Sequence, residues 1–253
     1  SCVMDGGRSV GIEDSAANLL AVGGSIAAAT TVTITGGVAG TGTVAEVALL
    51  RDITTDDTWI FALKDTIAHL GDLANAGVVG GAASVSVEDT AANLLAFGGP
   101  IPGALAVTVA GGVAGTGTIA QVLLLREITT DDGWSYGVQD TVAHLSDPAN
   151  AGVIGGATSI SVEDTAANLL ALGAPIPGAL AVTVAGGEAG ALAVADVATL
   201  AAITTDDGWH YSLVDTAAHL AASGAVGDGA VNVVAADPAS AVEATAIVGL
   251  ANS

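Results

Sequence analysis

Short runs in which every second residue is apolar recur along the chain. Val32 and Ile34 alternate with Thr31, Thr33 and Thr35; Ile160 and Val162 alternate with Ser159 and Ser161; Trp134, Tyr136 and Val138 alternate with Ser135, Gly137 and Gln139. A period of two sends successive side chains to opposite faces, so these runs predict strands with one apolar face and one small, mostly polar face. Strands of a doubly wound sheet or a (β/α)8 barrel are buried on both faces and read as unbroken apolar runs, which disfavours both folds. Between the strands the apolar residues fall at helical spacing, as in Ala16, Leu19 and Leu20. These helical segments span two to three turns, and Gly and Pro then stop them, as in GAPIPG at 173–178.

The pattern repeats. Gly11–Leu20 (GIEDSAANLL) returns as Ser86–Leu95 and Ser161–Leu170 (both SVEDTAANLL), a step of 75 residues each time. Weaker echoes subdivide it: DTIAHL, DTVAHL and DTAAHL start at Asp65, Asp140 and Asp215, and TVAEV, TIAQV and AVADV start at Thr43, Thr118 and Ala193. A further unit falls at Ser240, giving about ten units of about 25 residues, a period typical of solenoids. The expected fold is an α/β repeat solenoid of strand–helix units, a parallel sheet with helices on one face and moderate curvature, because the crossovers share one hand. One continuous array over 1–253 is expected, as three blocks near 10–84, 85–159 and 160–234 plus a C-terminal unit, 235–253.

Within a block three strand types are expected. The first ends in Glu-Asp-Thr, with Asp as the helix N-cap. The second, TTVTITGG at 30–37 and LAVTVAGG at 105–112 and 180–187, leads through a Gly-rich loop into its helix. The third follows an Ile-Thr-Thr-Asp-Asp turn and carries Trp59, Trp134 or Trp209, expected in the core between sheet and helices.

Charge narrows the partners. With Lys+Arg 4 against Asp+Glu 26, the net charge is −22, which repels nucleic acid and anionic membranes. Mean hydropathy is +0.68, but the uncharged run from Thr90 to Leu125 is broken by Gly98, Gly99, Pro100, Pro102 and five further glycines, so no membrane span of about 20 apolar residues is expected. The N-terminal SCVMDGGRSV has no signal-peptide core, so an exported chain has already lost its leader. Cys2, the single cysteine, permits no internal disulfide and fits no zinc spacing.

Three sets of residues invite a chemical reading. A polar column runs Asn18, Glu46, His69, Asn93, Gln121, His144, Asn168, Asp196, His219 and Glu243. Helical geometry turns it away from the apolar face, so it reads as solvated, with a local hydrogen-bond ladder and a metal site as alternatives. Asp56-Asp57, Asp131-Asp132 and Asp206-Asp207 are paired carboxylates suited to turns and helix caps or, more weakly, to calcium. GGVAGTGT at 36–43 and 111–118 precedes a helix but lacks the Lys-Ser/Thr that completes a P-loop. Every notable polar residue recurs with the repeat, whereas a catalytic set is usually unique, so no residue is assigned a catalytic, cofactor-binding or metal-binding role.

VEDTAANLLA, VQDTVAHL and GTGTIAQVLLL resemble the repeats of very large secreted bacterial surface proteins, over about Val10 to Leu220. The resemblance implies an extracellular or cell-surface structural role, as a module of a filament, surface layer, matrix or adhesin, with no catalytic residues to carry over. Uncapped strand-like ends, beginning at Ser9–Ile12, predict end-to-end association of copies of the chain. The alternative is a binding module that uses the Ser/Thr-lined sheet face for glycan, calcium or ice.

Overall fold

The computed structural model describes residues 10–24, 26, 29–206 and 208–250; Cys2, Ser9 and Asp207 lie outside them. The first block runs β1 (Gly11–Asp14), α1 (Ala16–Val22), β2 (Thr31–Ile34), β3 (Val38–Gly42), α2 (Val44–Ile53), β4 (Ile60–Asp65), α3 (Ile67–Gly71) and α4 (Ala76–Val79). The second repeats this order as β5 (Ser84–Asp89), α5 (Ala91–Phe97), β6 (Ala106–Val109), β7 (Val113–Gly117), α6 (Ile119–Ile128), β8 (Ser135–Asp140), α7 (Val142–Ser146) and α8 (Ala151–Gly156). The third runs β9 (Ser159–Asp164), α9 (Ala166–Leu172), β10 (Ala181–Val184), β11 (Glu188–Leu192), α10 (Val194–Ile203), β12 (His210–Asp215), α11 (Ala217–Ala221) and α12 (Ala225–Asp228), and β13 (Asn232–Ala235) and α13 (Ala241–Leu250) follow.

The fold is α/β, and every strand pairing described is parallel. The strands form four small sheets, β1-β2, β3-β4-β5-β6, β7-β8-β9-β10 and β11-β12-β13, instead of one. The chain gathers into two compact units, Ser1–Ala114 with Leu124–Trp134, and Gly115–Leu123 with Ser135–Ser253.

What divides the sheets is the segment read from the sequence as a Gly-rich loop. After β2 the chain makes a tight turn at 35–37, with Gly36 at φ 71° and Gly37 at φ 66°, and continues directly as β3. Those left-handed angles are open to glycine and strained for other residues. The same corner returns at Gly111-Gly112 and Gly186-Gly187. At each corner one edge closes: the Val32 N–H donates to Thr55 Oγ1 at 3.0 Å, and Val107 and Val182 donate likewise to Thr130 and Thr205. The Ile-Thr-Thr turn thus covers the outer edge of β2, β6 and β10, where an open edge would invite further pairing.

The one-faced strands follow the expected alternation. Val32, Ile34, Phe61, Leu63, Val87, Val107 and Val109 are buried in the first unit, and Val138, Val162, Val182, Val184 and Leu213 in the second. Helix residues cover them: Ala16, Leu19, Val44, Val47, Leu50 and Ile53 share a core with Trp59 and Phe61, and Ala166, Leu169, Val197, Leu200 and Leu220 share one with Trp209. The first-type helices stop where Gly23, Gly98 and Gly173 adopt left-handed angles. Among the described residues no helix is long and apolar enough to cross a membrane.

All three tryptophans are buried, and each indole N–H donates into the preceding turn, to the carbonyl of Asp56, Asp131 or Asp206 at 3.0–3.2 Å. Trp59→Ala is expected to destabilise the protein by about 3 to 5 kcal/mol. Native tryptophan emission should be blue-shifted; a maximum at the position of free tryptophan contradicts this packing.

Candidate functional site

In α/β proteins the C-terminal ends of parallel strands gather ligands, because helix N-termini point there. Here that edge collects most of the recurring polar residues. Each first- and third-type strand ends in Asp, and the next residue, Ser15, Thr66, Thr90, Thr141, Thr165 or Thr216, is the helix N-cap, its hydroxyl accepting the amide three residues on. The Asp expected as the cap is one residue too early for that duty, and it does something else.

Its two oxygens work on different rungs. Oδ1 of Asp89 accepts the Thr90 N–H at 2.7 Å and the Asn93 side-chain amide at 2.7 Å. Oδ2 crosses to the rung before and accepts the Ile67 N–H, the first amide of α3, at 3.0 Å. The same bond joins Asp65 to Val44 at 2.9 Å, Asp140 to Ile119 at 2.9 Å, Asp164 to Val142 at 2.9 Å and Asp215 to Val194 at 3.0 Å. Asp237 repeats it with Oδ1, accepting from Ala217 at 2.6 Å. The first amides of a helix have no partner within it, and a carboxylate there also meets the positive end of the helix dipole.

Strand register places these bonds. Gly42 pairs with Leu63, so two residues further Val44 lies opposite Asp65; Asp65 pairs with Val87, so Ile67 lies opposite Asp89. Asp89 pairs with Val109, and Ala91 then faces Gly111 in the corner. Gly36 and Gly186 stand likewise beyond Ile34 and Val184, the partners of Asp14 and Asp164. Glycine has no side chain to offer, so the ladder breaks once per block.

The polar column is the other half of this network: Asn18, Glu46, His69, Asn93, Gln121, His144, Asn168 and His219 face solvent, as expected, and they also form the local hydrogen-bond ladder named as the alternative. Asn18, Asn93 and Asn168 donate to Asp14, Asp89 and Asp164 at 2.7 Å. His69, His144 and His219 place Nδ1 2.6–2.8 Å from Asp65, Asp140 and Asp215. These side chains are exposed, but each folds back one turn onto a carboxylate. Where the strand ends in glycine the polarity reverses: Glu46 Oε2 and Gln121 Oε1 accept the N-cap amides of Thr43 and Thr118 at 2.8 Å. Glu243 does so for Ser240. A donor therefore follows Asp and an acceptor follows Gly, since the N-cap amide needs one acceptor in either case. In the third block Leu192-Ala193 replaces the Gly-Thr pair, and Ala193 gives no side-chain cap.

In two of the paired carboxylates the first Asp braces its turn. Asp56 Oδ1 accepts the Thr58 hydroxyl at 3.2 Å, and Asp131 Oδ1 accepts the Gly133 N–H at 3.3 Å. Among the described residues no group of three or more His, Cys, Asp or Glu side chains is placed to hold a metal ion. A polar cleft of about 360 Å³ opens at the strand ends of the second unit, lined by Thr116, Gln121, Gln139, Asp140, Thr141 and Glu163. Its groups bind one another: Gln139 donates to Glu163, Gln121 accepts from Thr118, and Asp140 holds Ile119, Thr141 and His144.

Burial raises the pKa of Asp65 and Asp140, yet the His partner, two backbone N–H donors and the histidine charge together outweigh it and hold both carboxyls below their ordinary value. Compared with family models, curated proteins and solved structures, the chain matches none.

Asp89→Ala removes three hydrogen bonds and strands the Ile67 amide, so urea unfolding should show a loss of about 3 kcal/mol or more. Asn93→Ala removes one bond and should lose roughly 1 kcal/mol. Equal small losses in the two variants would contradict the cross-rung role. Because the folded pKa values of Asp65 and Asp140 are depressed, their contribution is fully present above the ordinary value of 3.8 and is lost as pH falls through the lower folded value. Melting temperature against pH should therefore drop in the acid range below about 4, and an unchanged melting temperature there would refute the assignment.

Proposed function

We propose that this chain is an extracellular structural protein, a solenoid of about ten strand–helix units that serves as subunit or module of a filament, surface layer, matrix or adhesin. One observation carries the reading: the recurring Asp, Thr, Asn and His side chains are spent on one another and on helix amides, joining rung to rung. Chemistry on a substrate needs a polar group kept for it, whereas a scaffold needs such groups repeated and satisfied. The protein is accordingly read as a non-enzyme with no resident cofactor, located outside the cell or on its surface, and without nucleic-acid partners. The likeness of its VEDTAANLLA units to repeats of large secreted surface proteins supports the same role.

Association with further copies, end to end, belongs to this proposal. Among the described residues β13 pairs only with β12 and β1 only with β2. Helix α13 has no buried residue, and Val231, Val242 and Val248 are exposed. Strand edges without a partner among the described residues, and an apolar helix, favour a heterologous contact, which propagates when it does not close. The net charge of −22 opposes it, so moderate salt should promote it by screening over about 8 to 10 Å. Sedimentation of the intact chain should show a mass that grows with concentration and salt, and a monomer persisting at high concentration in moderate salt overturns the self-assembly.

A further inference from the structure

Position 51 of the first block and position 201 of the third are equivalent, yet one holds arginine and the other alanine. Arg51 leaves the last turn of α2 and folds inward. Its guanidinium carbon lies 5.4 Å from the centre of the Phe61 ring, and Nη1 donates to the Gly77 carbonyl at 3.3 Å. Gly81 makes the room: a Cβ there would stand 2.9 Å from Arg51 Nη2 and 3.5 Å from the Phe61 ring.

The third block keeps the ring pair and the glycine beside this side chain, but a hydroxyl now reaches that glycine: a Cβ at Gly229 would stand 2.7 Å from Tyr211 Oη. Tyr211 stands for Phe61, and the backbone bond Val231 N–H to Tyr211 O matches Ala83 N–H to Phe61 O, which makes Gly229 the counterpart of Gly81. Trp209 and Tyr211 hold the ring arrangement of Trp59 and Phe61, with centroids 5.3 Å apart in both pairs. Tyr211 turns its hydroxyl to the Val226 carbonyl at 2.7 Å. With Ala201 in place of arginine, a cavity of about 390 Å³ opens to solvent, lined by Val197, Ala201, Gly208, Trp209, His210, Tyr211 and Gly229.

We infer that this cavity is a binding site for a guanidinium group, the end of an arginine side chain or of a small alkylguanidine. A planar, weakly hydrated cation stacks on aromatic rings and donates in its plane, as Arg51 does on Phe61. An ammonium lacks the planar fork. The field of a chain with net charge −22 gathers cations of any shape, so the selectivity comes from the pocket. The site is independent of the scaffold role proposed above.

Titration of the ¹⁵N-labelled intact protein tests it, following the Trp209 indole and the Gly229 amide by NMR. N-ethylguanidinium and the capped peptide acetyl-Gly-Arg-Gly-amide are the ligands, and n-butylammonium at equal ionic strength is the control. Saturable shifts at Trp209 and Gly229 with both guanidinium ligands, absent with n-butylammonium, are expected. Tighter binding of the peptide identifies a polypeptide source, and equal binding identifies a free small guanidine. Ala201→Arg should abolish the shifts and raise the melting temperature. Arg51→Ala should create a second set at Trp59 and Gly81. If Ala201→Arg does not fold, Tyr211→Leu takes its place and should weaken binding at least tenfold. Shifts that never saturate, that n-butylammonium reproduces, or that survive in Ala201→Arg or Tyr211→Leu overturn the site.

Discussion

The structure depends on one bond, from the first amide of a helix to the carboxylate that ends the following strand. Short helices are weak on their own, because nucleation fixes several residues for a single hydrogen bond. Helices of five to ten residues, such as α3 (Ile67–Gly71) and α2 (Val44–Ile53), persist here because packing and capping both act on them. A buried carboxylate is costly unless its lone pairs are filled. Asp65, Asp89, Asp140 and Asp164 are each under a tenth exposed, and each accepts three hydrogen bonds, two from its own rung and one from the rung before. The bond that lowers the cost of burial is the one that ties the rungs together.

The same constraint explains the corners. Register carries Ala91, two residues past β5, to a position opposite Gly111, in a turn with a left-handed backbone. A residue with a carboxylate is strained at that angle, so the ladder cannot pass through the corner. The sheet ends there, and Thr55, Thr130 and Thr205 seal its edge. Four small parallel sheets, instead of one, follow from two glycines per block.

Much of this was legible in the sequence, for physical reasons that also mark the limit. Alternation in TVTI and AVTV reports which face is buried, because each side chain feels only its own side of the strand, and the glycines after TAANLLA report helix ends through their backbone freedom. Asp164-Thr165 was harder. Both residues are good caps, and only the register with Val142, more than twenty positions away, shows that Thr caps its own helix and Asp the neighbour's. Asn18 and His69 lie on the wet side of the helical wheel, but a wheel omits the strand residue before the helix, to which they bond. GGVAGTG carries every mark of a loop, and glycine-rich sequence does not distinguish a loop from a corner inside a continuing strand. The cavity beside Ala201 was open to sequence comparison between blocks, through Arg51, Arg126 and Ala201, but its meaning required the place of Arg51 over Phe61.

Amide hydrogen exchange tests the ladder most directly, because the first amides of helices ordinarily exchange fast and the chain contains its own control. Val44, Ile67, Ile119, Val142 and Val194 donate to a carboxylate of the next rung, whereas Ala16, Ala91 and Ala166 occupy the same helical position opposite a corner glycine. Strong protection at the first five amides and weak protection at the three alanines is the predicted result. Equal, rapid exchange at all eight would contradict the claim that aspartate bonds between rungs hold this protein together.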